Sequence, residues 1–146
     1  MSHSREYACY AFCLNHSIGI DIEFLNSKIE INDLLPMITT QAEFFIFDTL
    51  KENDKFYLFY KMWTTKEAFL KALGFGLSYS LSSIETTILP REKFKVTQCH
   101  DINETEIDRE WTFFPLNFLS HYLGAVAVKK KASHINMINL DALKFF

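Results

Sequence analysis

The sequence predicts an α+β fold in which an antiparallel sheet packs against one long helix. Three observations carry that prediction. Ile18-Gly19-Ile20-Asp21-Ile22-Glu23-Phe24 alternates strictly, the run from Phe56 to Leu73 follows three-four spacing, and the C-terminal half is a series of short apolar runs divided by polar turns. At 146 residues the chain fits one domain with a sizeable core. Its 49% hydrophobic and 16% aromatic content, with 15 Phe, excludes a disordered chain.

In order along the chain, Tyr7 to Leu14 and Ile18 to Phe24 read as two strands joined by a hairpin turn at Asn15-His16-Ser17. The second strand puts its isoleucines and Phe24 on one face, and Gly19, Asp21 and Glu23 on the other. Residues 25 to 38 are mixed, and Pro36 marks a break. Thr40 and Glu43 have the spacing of a capping box, so a helix is expected from there to about Lys51. Glu52-Asn53-Asp54 reads as a polar break, followed by a long helix from about Lys55 to Leu73 that stops at Gly74. Further strands are expected at Ser83–Leu89, Phe94–Cys99, Trp111–Phe114 and Phe118–Val128. An acidic turn is expected over Asp101–Glu110, and another turn at Pro115 and Asn117. The domain is expected to span 1–130, with 131–146 a charged tail.

Bulk charge narrows the function. A net charge of −3 and a pI near 5.9 give no general attraction to nucleic acid, so any anion site must be local. Cys9, Cys13 and Cys99 form no C-x-x-C pair, which suggests reduced thiols and a cytoplasmic location. The polar N-terminus has no secretory pattern, and the apolar run Tyr7 to Leu14 is too short to span a bilayer, so no membrane association is expected.

Two constellations carry chemistry. Asp21 and Glu23 lie on one strand face about 7 Å apart, where two carboxylates repel unless a cation sits between them. On the long helix, Lys66 falls in the middle of the apolar stripe Phe56, Phe59, Trp63, Leu70, Leu73, with Glu67 and Lys71 one turn apart beside it. Acids on a strand and acid plus cations on a helix that could cross it suggest a site for an anionic ligand.

Taken together, Gly19-Ile20-Asp21-Ile22-Glu23 followed by Trp63 through Leu77, in that order and at that separation, resembles the 4′-phosphopantetheinyl transferase superfamily. The surfactin-synthetase-activating type is the nearer likeness, because of the Glu two residues after the Asp and because Ser2-His3-Ser4 resembles its histidine motif. Tyr122 through Lys130 resembles its last core strand. The resemblance implies transfer of the phosphopantetheine arm of coenzyme A to a serine of an acyl or peptidyl carrier protein, with release of 3′,5′-ADP. It implies Asp21, Glu23 and Glu67 as Mg²⁺ ligands, Lys66 and Lys71 on the coenzyme A phosphates, and Ser2 and His3 at its nucleotide end. Glu43 falls where the family often carries an extra acid with a role in proton transfer. Either Glu67 or Glu43 through water suits the proton of the incoming serine, and Glu43 equally suits a helix cap.

Such chemistry makes physical sense of these residue types. Magnesium prefers hard oxygen donors, and flanking lysines neutralise charge that grows on a departing phosphate. Chains of this type usually hold two similar halves with the coenzyme in the cleft between them, and this one resembles the second half. The resemblance therefore implies a homo-oligomer completing the cleft, a piece of a longer protein, or a relative that binds coenzyme A or a carrier protein without turnover. An unrelated metal-dependent phosphohydrolase would need a further acid or histidine cluster, which the sequence does not show.

Overall fold

A computed structural model of the chain describes residues 1–75, 79–87, 94–99, 110–117 and 119–140. The elements are β1 (Ser2–Ser4), β2 (Tyr7–Cys9), β3 (Ile18–Phe24), α1 (Ile31–Ile38), α2 (Gln41–Asp48), α3 (Glu52–Leu73), a 3₁₀ turn at Leu81–Ser83, β4 (Ile84–Thr86), β5 (Val96–Cys99), β6 (Thr112–Leu116) and β7 (Tyr122–Val128). The expected α+β class is what forms. A three-stranded antiparallel sheet, ordered β3-β7-β6, packs against α3, with two-stranded pairs β1-β2 and β4-β5 at its flanks.

Small residues decide how the helix meets the sheet. In the β3-β7 register Gly19 faces Ala127 and Asp21 faces Ala125, so these four share a sheet face. Ala68 and Ala72 of α3 pack in the same buried cluster as Ala125 and Ala127. A β-carbon on Gly19 would stand 2.0 Å from the Ala68 carbonyl oxygen and 2.5 Å from the Ala72 nitrogen, so helix backbone occupies that space. Because the two layers approach so closely, the charged side chains of α3 reach the acids of β3. Gly19→Ala is expected to cost about 3 kcal/mol or more by overpacking against rigid backbone. Urea unfolding measures it, and a midpoint like the wild type's would contradict this packing.

The opposite sheet face is apolar, Ile20, Leu116 and Val126 packing with Ile18, Phe114 and Ile135. Thus β3 is covered on both faces, and Asp21 is only 3% exposed. Ile135 lies in the stretch expected as a charged tail, and it contributes to this cluster.

Helix α3 is buried nearly all round rather than along one stripe. Phe59, Tyr60 and Met62 pack on α1 and α2, while Phe69 and Leu70 sit among Ile84, Cys99 and the β7 alanines. It begins at Glu52, three residues before the expected start. Glu52 and Asp54, read as a break, form its first turn, where carboxylates suit the free N–H groups, and Lys55 pairs with Glu52 at 3.0 Å. It ends as expected at Gly74, whose φ of 79° lets the Phe75 N–H reach the Leu70 carbonyl.

Several expected elements are corrected. The second strand of the expected hairpin pairs with β7, and β2 pairs instead with β1 through a tight turn at Arg5, φ 51°. The other edge of β3 is taken by β1, whose Ser2 and Ser4 hydroxyls accept from the Ile22 and Phe24 N–H groups, so β2 lies one strand further out. Pro36 does not break the chain but lies inside α1, a two-turn helix fixed by burial of Leu35 and Ile38. Pro115 lies within β6, an edge strand where a residue lacking an N–H is tolerated. Most of the acidic turn, 101–109, lies outside the described residues, as do Gly76 and Leu77. No helix among the described residues is long and apolar enough to cross a membrane.

Candidate active site

At the junction of β1, β3 and α3 the structure gathers Ser2, Ser4, Asp21, Glu23, Glu67 and Lys71. Two facts of secondary structure bring them together. Asp21 and Glu23 are two apart on a strand and share a face, and Glu67 and Lys71 are four apart on a helix and share another. Lys71 Nζ lies 2.6 Å from Asp21 Oδ1 and donates to Ser2 Oγ at 3.3 Å. Ser2 Oγ donates to the same Asp21 oxygen at 2.9 Å, and Ser4 Oγ donates to Glu23 Oε2 at 3.0 Å. The other Asp21 oxygen, Oδ2, is buried and has no hydrogen-bond partner.

All three carboxyl groups are held above the ordinary carboxylate range. For Asp21 burial is the main cause, opposed by the hydrogen bond and charge of Lys71. For Glu23 it is burial and then the charge of Asp21, with Glu67 adding to it. For Glu67 it is burial and then Asp21, with Lys71 opposing. Glu23 and Glu67 are thus each raised partly by the charge of Asp21, and with three acids sharing one lysine the site as it stands has an excess of negative charge.

The donor set suits a small, hard divalent ion: carboxylate oxygens with mutual repulsion to relieve, and one buried oxygen without a partner. The spacing is more open. Among the described residues no three His, Cys, Asp or Glu side chains stand close enough to hold an ion as they are placed. Lys71 is instead the cation on Asp21. Its side chain is 34% exposed, so it also has access to solvent.

Three residues expected at the site are placed otherwise. Lys66 precedes Glu67 but projects about 100° round the helix from it. Its side chain is fully buried, with Nζ 2.6 Å from Glu43 Oε2, 2.7 Å from the Ile38 carbonyl and 3.2 Å from the Leu81 carbonyl. Burial pulls its pKa down, and the charge of Glu43 opposes that. Solvent does not reach this ammonium, so it offers no surface to a coenzyme phosphate; its role is internal. Glu43 is corrected with it. One oxygen takes Lys66 and the Thr40 N–H, and the other takes the Thr86 N–H and hydroxyl. With every oxygen engaged and its side chain 1% exposed, Glu43 has no free position for a proton in transit. His3 alternates with Ser2 and Ser4 along β1 and is exposed, whereas Ser2 is buried against Asp21. Ser4 is the contributor that sequence reasoning missed, although its two-residue spacing from Ser2 matches that of Asp21 and Glu23.

A family model described as the 4′-phosphopantetheinyl transferase superfamily matches residues 17–127. The chain is 33% identical over 96 residues to the 4′-phosphopantetheinyl transferase HetI of Nostoc, an alignment covering 66% of this chain and 40% of that one. It is 28% identical over 141 residues to the human L-aminoadipate-semialdehyde dehydrogenase-phosphopantetheinyl transferase, covering 89% and 45%. It thus spans less than half the length of these curated relatives. Among solved structures, the holo-[acyl-carrier-protein] synthase of Neisseria meningitidis superposes with a TM-score of 0.63 at 21% identity, covering 79% of this chain and 98% of that one. The Thermotoga maritima synthase gives 0.59 at 21%, covering 80% and 64%. Those two likenesses establish the fold, and the sequence match extends from just before β3 to the end of β7. By that match the chain belongs to the 4′-phosphopantetheinyl transferase superfamily.

Proposed function

We infer that the chain transfers the 4′-phosphopantetheine group of coenzyme A to a serine hydroxyl of an acyl or peptidyl carrier protein, releasing 3′,5′-ADP. The observation that carries this reading is the placement of Glu23 and Glu67 within electrostatic reach of Asp21, whose Oδ1 meets Lys71 and whose Oδ2 is buried and unpaired. Asp21, Glu23 and Glu67 would hold Mg²⁺, which when bound supplies Lewis-acid stabilisation to a pyrophosphate. Lys71, once off Asp21, is long and exposed enough to meet a phosphate and neutralise charge on the leaving group. Glu67 is half-buried beside Asp21, a position from which a carboxylate could accept the proton of an incoming serine, directly or through water. Glu23 in register with Asp21, together with the Ser2–Ser4 strand, supports the surfactin-synthetase-activating type. The test is mass spectrometry of an apo carrier protein incubated with the chain, coenzyme A and Mg²⁺. Gain of the phosphopantetheine mass supports the reading, and no gain across several carriers rejects it.

A second reading is a relative that binds coenzyme A or a carrier protein without turnover. Calorimetric binding of coenzyme A with no product mass would select it. Self-association belongs to the first reading. Phe12 and Leu14 are 88% and 87% exposed, beside Tyr10, an apolar strip suited to burial in an interface. Sedimentation is expected to show a species larger than the monomer at micromolar concentration, and a clean monomer would remove that part.

The raised acids set a sign for pH dependence. Between the ordinary and the raised carboxyl values the folded state binds more protons than the unfolded state. Without an ion, the contribution of these acids to stability therefore falls as pH rises through that window and is regained on acidification. Divalent-ion affinity has the opposite sign, because binding needs the carboxylates charged. Calorimetric titration with Mg²⁺ from neutral pH down to about pH 5 is expected to show affinity falling already above the range of an ordinary carboxylate. Affinity that stays flat to the ordinary carboxylate range would contradict ligation by this trio.

A further inference from the structure

Strand β1 does more than cover the edge of β3. In the β3-β7 pairing the odd-numbered residues of β3 bond to β7, as the flanking bonds from Lys129 to Ser17 and from Leu25 to His121 show. The N–H groups of Ile22 and Phe24 therefore point to the free edge. There they donate to Ser2 Oγ at 3.3 Å and Ser4 Oγ at 3.0 Å. Each serine thus repeats one arrangement: it accepts from the N–H of one β3 residue and donates its proton to the carboxylate of the residue before it. The repeat has the two-residue period of a strand, so Ser-x-Ser is laid in step with Asp-x-Glu.

We propose that Ser2 and Ser4 are positioning residues, a hydroxyl ladder that fixes the orientation of Asp21 and Glu23 for a divalent ion. The inference rests on the transferase reading and goes beyond it. A hydroxyl has one proton, and a serine placed only to satisfy an edge N–H would leave that proton uncommitted; here both protons go to carboxylates. Fixing Asp21 Oδ1 from the β1 side leaves Oδ2 as the oxygen without a partner. Unlike Lys71, a serine holds the carboxylate without neutralising it, so the full charge remains for an incoming cation. Outer partners of ligating carboxylates act in this way, and their loss typically weakens ion binding by about 10–100-fold.

The test is calorimetric titration of the whole chain with Mg²⁺, and separately with Mn²⁺, for wild type, Ser2→Ala, Ser4→Ala and Ser4→Thr. Each alanine is expected to raise Kd about tenfold, while Ser4→Thr, which keeps the hydroxyl, stays near wild type. Thermal unfolding of the same samples separates positioning from simple support. A lowered Tm with ion affinity unchanged in the folded protein overturns the proposal. If Ser2→Ala does not fold, Ser4→Ala at the half-buried end of the strand decides alone. A wild type that takes up neither ion overturns the transferase reading and this inference with it. A wild type that binds, with Ser4→Ala binding equally, overturns the inference only.

Discussion

Glu67→Ala is expected to reduce phosphopantetheine transfer by about 100-fold or more while leaving the protein folded. The two halves of that expectation have one physical source. Glu67 is half-buried, and its carboxyl is raised by burial and by the charge of Asp21. It therefore adds repulsion to the folded state, and removing it relieves repulsion, so Tm should stay level or rise slightly. On the proposed reading transfer should collapse, because it assigns to this carboxylate a place on the ion and a part in accepting the serine proton. Glu67→Gln keeps the shape and removes the charge, so it should behave as the alanine does. The readout is product mass per unit time against an apo carrier, with thermal unfolding alongside. A variant that transfers at the wild-type rate would remove Glu67 from the mechanism.

Much of this site is legible in the residues, because its parts are set by short-range geometry. A period of two puts Asp21 and Glu23 together, a period near four puts Glu67 and Lys71 together, and both hold whatever the rest of the chain does. The capping box of α2 is local in the same sense, and Thr40 and Glu43 make both of its hydrogen bonds. What could not be read is which pieces of distant chain meet. Lys66 looks like a ligand-facing cation because a lysine interrupts an apolar stripe. The stripe does not say that Glu43, 23 residues upstream, meets it inside the core. A signal did exist: a cation in a buried stripe needs a buried anion, and Glu43 lies on a short helix rich in apolar residues. The pairing of β3 with β7 was hidden for a similar reason. Turn residues at 15–17 suggest a local hairpin, whereas β3 pairs with a strand about 100 residues away, and Gly19, Ala125 and Ala127 together leave room for α3. That is a property of three segments at once.

The buried pair gives the largest expected effect on stability. Lys66→Ala would leave the Glu43 carboxylate sealed in the core with its cation gone. Glu43→Ala would leave the Lys66 ammonium with only the Ile38 and Leu81 carbonyls. Removing one member of a buried pair costs about 3–5 kcal/mol, against a total stability of roughly 5–15 kcal/mol for a domain. Either single variant is thus expected to lower Tm by about 10 °C or more. The double variant Lys66→Met with Glu43→Gln should lie closer to wild type than either alanine, since methionine fills the lysine's volume and the one glutamine oxygen still accepts from Thr86, at the cost of the Thr40 N–H cap bond. A double-mutant cycle on urea midpoints measures the coupling, and additive losses would mean that the two charges do not depend on each other. The same double variant decides what Lys66 is for. Lys66 faces α2 and β4 while Lys71 faces β3, so the pair is expected to fix the rotation of α3 rather than to hold a ligand. The folded double variant should keep its affinity for coenzyme A, measured by calorimetry, and a large loss of affinity at unchanged fold would return Lys66 to the coenzyme site.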